Sequence, residues 1–364
     1  MVPALAVADA LRASGANVSF LGTRERAEAR LVPDAGYEID FLNVRGLDRR
    51  NPLRAAGAAA RAAAAIPAAV RVLRSRGADA VLGGGGYVAG PAGLAALRLR
   101  PTLVLTEADS HLGLANRMLA RRARRVCLAF PIAGLDGERY LVTGRAVPPA
   151  VLSADRGAAR ERFGIPADQR CLLVFGGSLG ARTINEAALA AFAGTQGADP
   201  PTPTRTAPSV PRDFWVLHVA GHRDYPEARA RLDTARPVRY VLLEYEPNLG
   251  DALAASDLVL SRAGGSVFEL AAAGKPAILV PYPYASARHQ HSNASWMAEA
   301  GAAVAIEDAE LTPEHLALVA SEMLADRDRL ETMAVASRSL ARPDAAARIA
   351  AEVMAASAAA PAGG

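Results

Sequence analysis

The strongest constraint on the fold is a pattern that occurs twice along the chain: short apolar segments alternate with longer Ala-, Leu- and Arg-rich stretches. The short apolar or β-branched segments predict strands, and the stretches between them have helical periodicity. Strands that alternate with helices predict α/β domains with parallel sheets. The predicted strands are residues 17–21, 80–82, 102–105 and 125–129 in the first half, and 171–175, 215–219, 239–243, 258–260 and 277–280 in the second.

A segment that contains one Gly and two Pro, residues 142–150, separates the two halves. Gly and Pro disfavour both helix and strand, so the segment predicts a domain boundary. We expect an N-terminal domain over residues 1–148 and a C-terminal domain over residues 149–343. A hydrophobic content of 51% over 364 residues is sufficient for two packed cores.

Charge and Cys content exclude several classes of protein. The 41 Lys and Arg against 37 Asp and Glu leave a net charge of +4, which indicates no nucleic-acid partner. Cys127 and Cys171 have neither disulfide-scaffold nor zinc-ligand spacing, and we expect no metal site and no cofactor. An uncharged apolar window of ~18 residues, which would predict a transmembrane helix, is absent from the sequence.

The chain opens on a predicted helix, residues 2–13, with no strand before it. A doubly wound sheet normally begins with a strand whose tight turn delivers ligand to the start of that helix. Either the strands are ordered differently or the first domain lacks its first strand. We expect the second alternative, with a reading frame that starts downstream of the original start codon.

Two Gly-rich turns follow predicted strands in the second half, and each opens a helix. The first is FGGSLGARTIN, residues 175–185, and the second is SRAGGSVFE, residues 261–269. Glycines let backbone N–H groups approach an anion at the positive end of a helix, so the pair predicts a nucleotide diphosphate site. Glu269 can accept hydrogen bonds from ribose hydroxyls. Ordinary tight turns and a helix-dipole role for Glu269 are the alternatives.

Polar residues also follow strands elsewhere in the chain. GGGGYVAGP, residues 83–91, and TEADSH, residues 106–111, stand at the ends of two first-half strands, where open α/β sheets bind ligands. Glu107 and Asp109 can do acid–base or orienting work, or they are simply solvated. Residues 288–293, RHQHSN, can recognise sugar hydroxyls or form a solvated loop.

Residues 49–76 combine arginines with Leu, Ile, Val and many Ala. An amphipathic basic helix of this kind can lie on an anionic membrane surface. The alternative is a solvated helix that covers the sheet, with Arg stems packed along it.

Together these segments resemble the MurG family of peptidoglycan N-acetylglucosaminyltransferases, in glycosyltransferase family 28. The resemblance covers nearly the whole chain in order, through residues 3–8, 20–23, 28–33, 83–91, 176–185 and 262–273. It implies a GT-B fold, in which two Rossmann-like domains with parallel sheets face a central cleft. It also implies that a last helix, near residues 344–356, returns to the N-terminal domain.

The resemblance implies an inverting, metal-free transfer of GlcNAc from UDP-N-acetylglucosamine (UDP-GlcNAc) to undecaprenyl-linked lipid I, which forms lipid II. The protein is then peripheral, on an anionic membrane surface at the cytoplasmic face of the bacterial cell membrane. The donor-binding residues so implied are Gly177, Ser178, Arg145, Glu246, Gly264, Gly265, Ser266, Glu269, Gln290 and Asn293. The acceptor-binding residues are Gly85, Gly86, Tyr87, Asp109 and Asn116, and Glu107 is the candidate catalytic residue.

The family also implies individual roles in the donor site. Ser178 contacts the pyrophosphate, Glu269 binds the uridine ribose, and the backbone of Glu246 meets the uracil. Gln290 recognises the GlcNAc hydroxyls, with Asn293 nearby.

Several family motifs differ in this chain, and the second-domain GGSQGAR motif appears here as GGSLGAR. The first strand and its GGTxGH loop, whose His is a candidate base, would precede Met1, and a chain without them is expected to bind donor but transfer little. Residues 106–109 keep only the Glu of the family's HEQN motif, and Arg145 stands at a shifted position for the Arg of GNPVR. The alternative functions are a non-catalytic UDP-sugar-binding or membrane-scaffolding protein, and a GT-B transferase with another lipid acceptor.

Overall fold

The computed structural model describes residues 1–45, 52–99, 101–177, 179–193, 214–235, 239–285 and 288–359, with only the backbone of 52–55 and 233–235. The chain forms two compact units. One consists of Met1–Pro148 and Arg342–Gly364, and the other of Pro149–Ala341. The Pro- and Thr-rich stretch at residues 197–211, whose composition predicts an exposed loop, lies outside the described residues.

The first unit contains two parallel sheets. β1 pairs with β2, and a second sheet has the order β3-β4-β5-β6. Side chains of β1 and β3 pack in the same core cluster, so the two sheets share a helical layer. The elements are α1 (Val2–Ala13), β1 (Ser19–Gly22), α2 (Glu28–Asp34), β2 (Glu38–Phe41), α3 (Pro52–Ser75), β3 (Ala80–Gly83), α4 (Gly86–Arg98), β4 (Thr102–Glu107), α5 (Leu114–Leu119), β5 (Arg125–Leu128) and β6 (Tyr140–Val142).

The second unit has one six-stranded parallel sheet, in the order β12-β11-β10-β7-β8-β9. Its elements are α6 (Pro149–Ser153), α7 (Arg156–Phe163), β7 (Arg170–Phe175), α8 (Arg182–Phe192), β8 (Phe214–Val219), α9 (Tyr225–Ala235), β9 (Tyr240–Leu243), α10 (Leu249–Ala255), β10 (Leu258–Ser261), α11 (Val267–Ala272), β11 (Ala277–Leu279), α12 (His289–Glu299), β12 (Ala303–Ala305), α13 (Pro313–Ala325) and α14 (Arg327–Ser339).

The central strands β7 and β10 of the second unit are predominantly apolar because helices cover both faces of the sheet. In β7, residues 171–175 are all buried, and β10 is buried along its whole length. Parallel strands place their carboxyl ends at one edge of the sheet. The turns after β7, β9 and β10 therefore emerge on the same side of this unit.

The last helix, α15 (Ala345–Ala358), packs on the first unit. Its Ile349 and Val353 share a buried cluster with Val7 and Leu11 of α1. An ion pair between Arg125 and Glu352, 2.9 Å from Nε to Oε2, ties the helix to β5.

The predicted α/β class with parallel sheets is confirmed. All nine predicted strands are present, with ends displaced by no more than two residues. Three strands were not predicted. β2 carries two carboxylates, β12 is rich in Ala, and β6 is three residues long and adjoins the Gly- and Pro-containing boundary.

Helix α3 combines a buried face with an exposed basic face. Among the described residues, Ala56–Ser75 is long and apolar enough to cross a membrane by length and composition, and 22% of it is buried. Arginines interrupt this stretch, so it contains no uncharged apolar window of ~18 residues. The buried residues Ala65, Ala69 and Leu73 pack against the core of the first unit.

Candidate functional site

The turn after β10 and the start of α12 form one continuous surface in the second unit. Asn293 of α12 donates from Nδ2 to the carbonyl oxygen of Ala263, at 2.9 Å. A Cβ atom added to Gly264 would lie 3.9 Å from Nε2 of Gln290. The structure therefore brings together three of the residues predicted to bind the donor: Gly264, Gln290 and Asn293.

Asn293 presents an unused hydrogen-bond acceptor. The residue is 3% exposed, and its Oδ1 atom has no hydrogen-bond partner in the described part of the chain. Because its Nδ2 donates to backbone carbonyl groups, the orientation of the amide is determined. A buried carbonyl oxygen without a partner is costly, and a ligand hydroxyl would satisfy it.

The side-chain amide of Gln290 is held through its oxygen atom, whereas that of Asn293 is held through its nitrogen atom. Its Oε1 accepts a hydrogen bond of 2.9 Å from the backbone N–H of Tyr282, just after β11. This contact holds the amide beside the β10 turn, and the Nε2 group remains on the side of Gly264. Such an amide can donate to a sugar hydroxyl.

The Gly-rich turn after β7 allows a close approach of backbone to backbone. Gly177 has a φ of +98° with open space around its Cα. Gly176 packs so closely on Ala181 that an added Cβ would lie 2.4 Å from the Ala181 nitrogen. Ser178, predicted to contact the pyrophosphate, lies outside the described residues.

The two predicted donor-site carboxylates differ in environment. Glu246, after β9, is buried, and its carboxylate binds Arg162 at 2.7 Å and the backbone N–H of Asn248 at 2.8 Å. The Glu246 side chain therefore binds groups of the protein itself. Its backbone is the part predicted to contact the uracil. Glu269 is half-buried in the first turn of α11, after Gly265 and Ser266.

A cluster centred on Arg262, which the sequence did not reveal, holds together the turns of the predicted donor site. Arg262 donates to the Thr183 hydroxyl at 2.6 Å and forms an ion pair with Asp308. Thr183 in turn donates to Asp308 at 2.9 Å. Arg262 also donates to the carbonyl oxygen of Val280 at 3.3 Å. The cluster connects the segments after β7, β10, β11 and β12, which are far apart in sequence.

In the first unit, Glu107 organises the loop after β4. Its Oε1 accepts from the backbone N–H groups of Ala108 and Asp109, at 3.0 and 3.2 Å. Its Oε2 accepts from the N–H of Gly113 at 2.8 Å and from Nδ2 of Asn116 at 2.9 Å. These four bonds occupy the lone pairs of a carboxylate. The geometry favours an anchoring role, and the catalytic role of Glu107 stays a prediction.

Asn116 in the first unit is buried with an unpaired amide oxygen among the described residues, as Asn293 is in the second. It is 0% exposed, its Nδ2 donates to the carbonyl oxygen of Thr106 and to Glu107, and its Oδ1 has no partner among the described residues. An added Cβ on Gly85 would lie 3.7 Å from its Nδ2. Gly85 and Gly86, with φ of +79° and +72°, start α4 immediately before Tyr87.

The other predicted acceptor-site residues lie near these groups. Tyr87 contacts the Arg26 guanidinium, whose carbon is 5.7 Å from the ring centre. The Glu107 carboxylate accepts hydrogen bonds from both the Asp109 backbone N–H and the Asn116 side chain. The structure therefore brings Gly85, Asp109 and Asn116 together around one carboxylate. Arg145, predicted as a donor-binding residue, belongs to the first unit, whereas the other nine lie in the sequence of the second.

Both predicted sites combine backbone N–H groups and amides with carboxylates: Glu107 in the first unit, and Glu246 and Glu269 in the second. Within the described ranges, no group of three or more His, Cys, Asp or Glu side chains is placed to hold a metal ion. Backbone N–H groups, amides and hydroxyls of this kind can bind a diphosphate and a sugar.

Family models match both units. The model of the glycosyltransferase family 28 N-terminal domain matches residues 1–128, and that of the C-terminal domain matches residues 171–349. A protein of Alkalilimnicola ehrlichii is 42% identical over 359 residues, covering 96% of this chain and 93% of that protein. One of Moorella thermoacetica is 38% identical over 354 residues, covering 94% and 92%. Both are named UDP-N-acetylglucosamine--N-acetylmuramyl-(pentapeptide) pyrophosphoryl-undecaprenol N-acetylglucosamine transferase.

Solved structures agree with these matches. The crystal structure of Acinetobacter baumannii MurG has a TM-score of 0.73 and 32% identity, covering 97% of this chain and 95% of that one. A UDP-GlcNAc 2-epimerase from Neisseria meningitidis bound to UDP-GlcNAc has a TM-score of 0.64 at 14% identity, which shows a shared fold alone. The predicted pair of Rossmann-like domains and the predicted family are confirmed: this chain belongs to glycosyltransferase family 28 and, within it, to the MurG enzymes.

Proposed function

We propose that this protein transfers GlcNAc from UDP-GlcNAc to lipid I and so forms lipid II. The names of its relatives give this donor sugar and this class of lipid-linked acceptor. The observation that carries the proposal is a pair of buried amide oxygens, Oδ1 of Asn293 and Oδ1 of Asn116, one in each unit. Each lacks a hydrogen-bond partner among the described residues, and each stands beside a glycine turn, where a substrate hydroxyl can donate to it.

The second unit is proposed to bind the donor. Backbone N–H groups of the turns at Gly177 and Gly264 face the diphosphate, and Glu269 accepts from the ribose hydroxyls. Gln290 and Asn293 bind the GlcNAc hydroxyls. Ser178, Gly265, Ser266 and the backbone of Glu246 complete the proposed donor site. Arg145, which belongs to the first unit, stays a predicted donor-binding residue.

The first unit is proposed to bind the acceptor. The turn that ends at Gly85 and the loop held by Glu107 meet at Asn116, whose amide oxygen accepts a hydroxyl of the acceptor sugar. Tyr87 follows the Gly85 turn, and Asp109 belongs to the loop held by Glu107. Glu107 acts here as a positioning residue for the acceptor loop.

The proposed reaction is a single displacement. The acceptor hydroxyl oxygen attacks the anomeric carbon of GlcNAc, the bond from that carbon to the diphosphate oxygen breaks, and UDP leaves with the bonding electrons. A base takes the hydroxyl proton. Attack opposite to the leaving group inverts the anomeric configuration, and backbone N–H groups stabilise the charge that develops on UDP.

A transfer assay with the purified protein tests this function. We expect labelled GlcNAc to pass from UDP-GlcNAc to lipid I, with release of one UDP for each lipid II formed. Lipid-linked acceptors without the muramyl sugar serve as the control for the acceptor. Donor binding without product would favour the non-catalytic UDP-sugar-binding alternative. Equal transfer to the control lipids would favour a transferase with another acceptor.

The exposed face of α3 is proposed to rest on the anionic inner surface of the cell membrane, which places the protein at the cytoplasmic face. Arg61, Arg71 and Arg74 are exposed and lie outside the helix face that packs on the core. Basic side chains near an anionic bilayer each contribute about 1 kcal/mol, and apolar neighbours add burial. The predicted basic helix also includes Arg49, Arg50 and Arg54. Arg49, Arg50 and the side chain of Arg54 lie outside the described residues.

Replacing Arg61, Arg71 and Arg74 together by Gln should weaken binding to anionic vesicles by about 3 kcal/mol. Sedimentation with phosphatidylglycerol-containing and neutral vesicles measures the effect, which should decrease as salt is raised. A triple Gln variant of Arg231, Arg327 and Arg329, exposed arginines of the second unit, removes the same charge elsewhere. Equal losses in the two variants would show that net charge, and not the α3 surface, binds the membrane.

A further inference from the structure

A buried hydrogen-bonded network lies under the Gly-rich turn after β7. His218 of β8 is 0% exposed, and its Nδ1 is 2.7 Å from the Tyr240 hydroxyl of β9. Its Nε2 is 2.9 Å from Oδ1 of Asn185 on α8. These three side chains, which we call the His218 network, connect two strands with the helix that the Gly-rich turn opens.

The partners of the His218 network assign its protons. Nδ2 of Asn185 donates to the carbonyl oxygen of Ala220 at 2.9 Å and to Asp224 at 3.1 Å, so Oδ1 of Asn185 is an acceptor. Nε2 of His218 therefore carries the hydrogen, and its Nδ1 accepts from the Tyr240 hydroxyl. Complete burial lowers the pKa of His218 from the ordinary 6.5 to about 3, which keeps the ring neutral.

The two groups that Asn185 binds are also the groups that the glycine turn touches. An added Cβ on Gly180 would lie 2.3 Å from the Ala220 oxygen and 2.7 Å from Oδ2 of Asp224. From the other side, an added Cβ on Gly221 would lie 2.2 Å from the Gly180 nitrogen. The turn thus rests on a backbone carbonyl group and a carboxylate whose positions Asn185 fixes.

We propose that His218 and Tyr240 are positioning residues for the donor. They act through Asn185, which holds Ala220 and Asp224 under the turn that binds the diphosphate of UDP-GlcNAc. This inference rests on the proposed function and extends it to side chains that touch no substrate. Loss of the network lets the turn shift, which weakens donor binding and leaves acceptor binding unchanged.

Three variants test the His218 network. His218→Met fills the space but removes both hydrogen bonds, whereas His218→Gln retains a donor for Asn185 and an acceptor for Tyr240. Tyr240→Phe removes one hydroxyl and is the variant of choice if His218→Met does not fold. Leu330→Ala on α14 removes buried apolar volume without touching the network.

We expect His218→Met and Tyr240→Phe to raise the KM for UDP-GlcNAc about three- to tenfold. The KM for lipid I should remain unchanged, His218→Gln should stay near the parent value, and Leu330→Ala should lower only the melting temperature. Calorimetric titration with UDP alone measures donor-site affinity in the same variants without any transfer reaction. The His218 network is therefore tested even if the protein transfers no GlcNAc. If the donor KM and UDP affinity of all four variants track only the melting temperature, the network is structural and the proposal is wrong.

Discussion

Replacing Gly180 by Ala should lower the free energy of unfolding of the second unit by about 3–5 kcal/mol and reduce transfer at least about 10²-fold. Gly180 has a φ of +88°, which costs any other L-residue roughly 1–2 kcal/mol. The added methyl group would also overlap the Ala220 carbonyl oxygen and the Asp224 carboxylate. Neither group can retreat freely, because Asn185 binds both.

Gly301→Ala is the matched control for this substitution. Gly301 has a φ of +78°, and an added Cβ would have no heavy atom within 4 Å among the described residues beyond its chain neighbours. The variant should lose about 1 kcal/mol through its backbone alone and should keep its transfer rate. Urea unfolding and initial-rate measurements on both proteins separate the two effects. Equal losses for both glycines would mean that the close packing of the β7 turn is unimportant.

The strands that sequence analysis predicted are those whose signal is local. Residues 171–175 form an uninterrupted apolar segment because both faces of β7 are covered, and such a segment is recognisable without its neighbours. β2 contains Glu38 and Asp40, and those side chains pair with Arg76 after α3. A strand stabilised by a distant arginine has no apolar pattern to reveal it.

The predicted binding sites also contain features that are local in sequence and features that depend on distant residues. Gly-rich turns and the residues that follow them can be predicted, because glycine content and position after a strand are properties of short segments. The partners of buried polar groups are properties of the fold. Asn293 binds a carbonyl group 30 residues away, and His218 binds an amide 33 residues away.

Glu107 illustrates how such partners change an interpretation. In sequence it is a carboxylate at the end of a strand, which is typical of a catalytic group. In the structure, four N–H donors from its own loop and from Asn116 converge on it. A side chain in that environment holds a loop in place, and only the folded chain shows which donors are present.

Substituting the two buried amides should separate the two substrates. Asn293→Ala should weaken UDP-GlcNAc binding about 10- to 100-fold, because the substrate loses an acceptor and the carbonyl group of Ala263 loses its donor. Asn116→Ala should have an effect of the same size on the lipid-linked acceptor. Gln169→Ala is the control: its Oε1 is also buried without a partner in the described chain, but the residue precedes β7, at the opposite edge of the sheet.

Calorimetric titration of each variant with UDP-GlcNAc and with lipid I in detergent tests the division of substrates between the units most directly. We predict that Asn293→Ala loses donor affinity and keeps acceptor affinity, that Asn116→Ala does the reverse, and that Gln169→Ala binds both substrates normally. The account is contradicted if either Asn variant binds both substrates as the parent protein does, or if the losses occur for the opposite substrates.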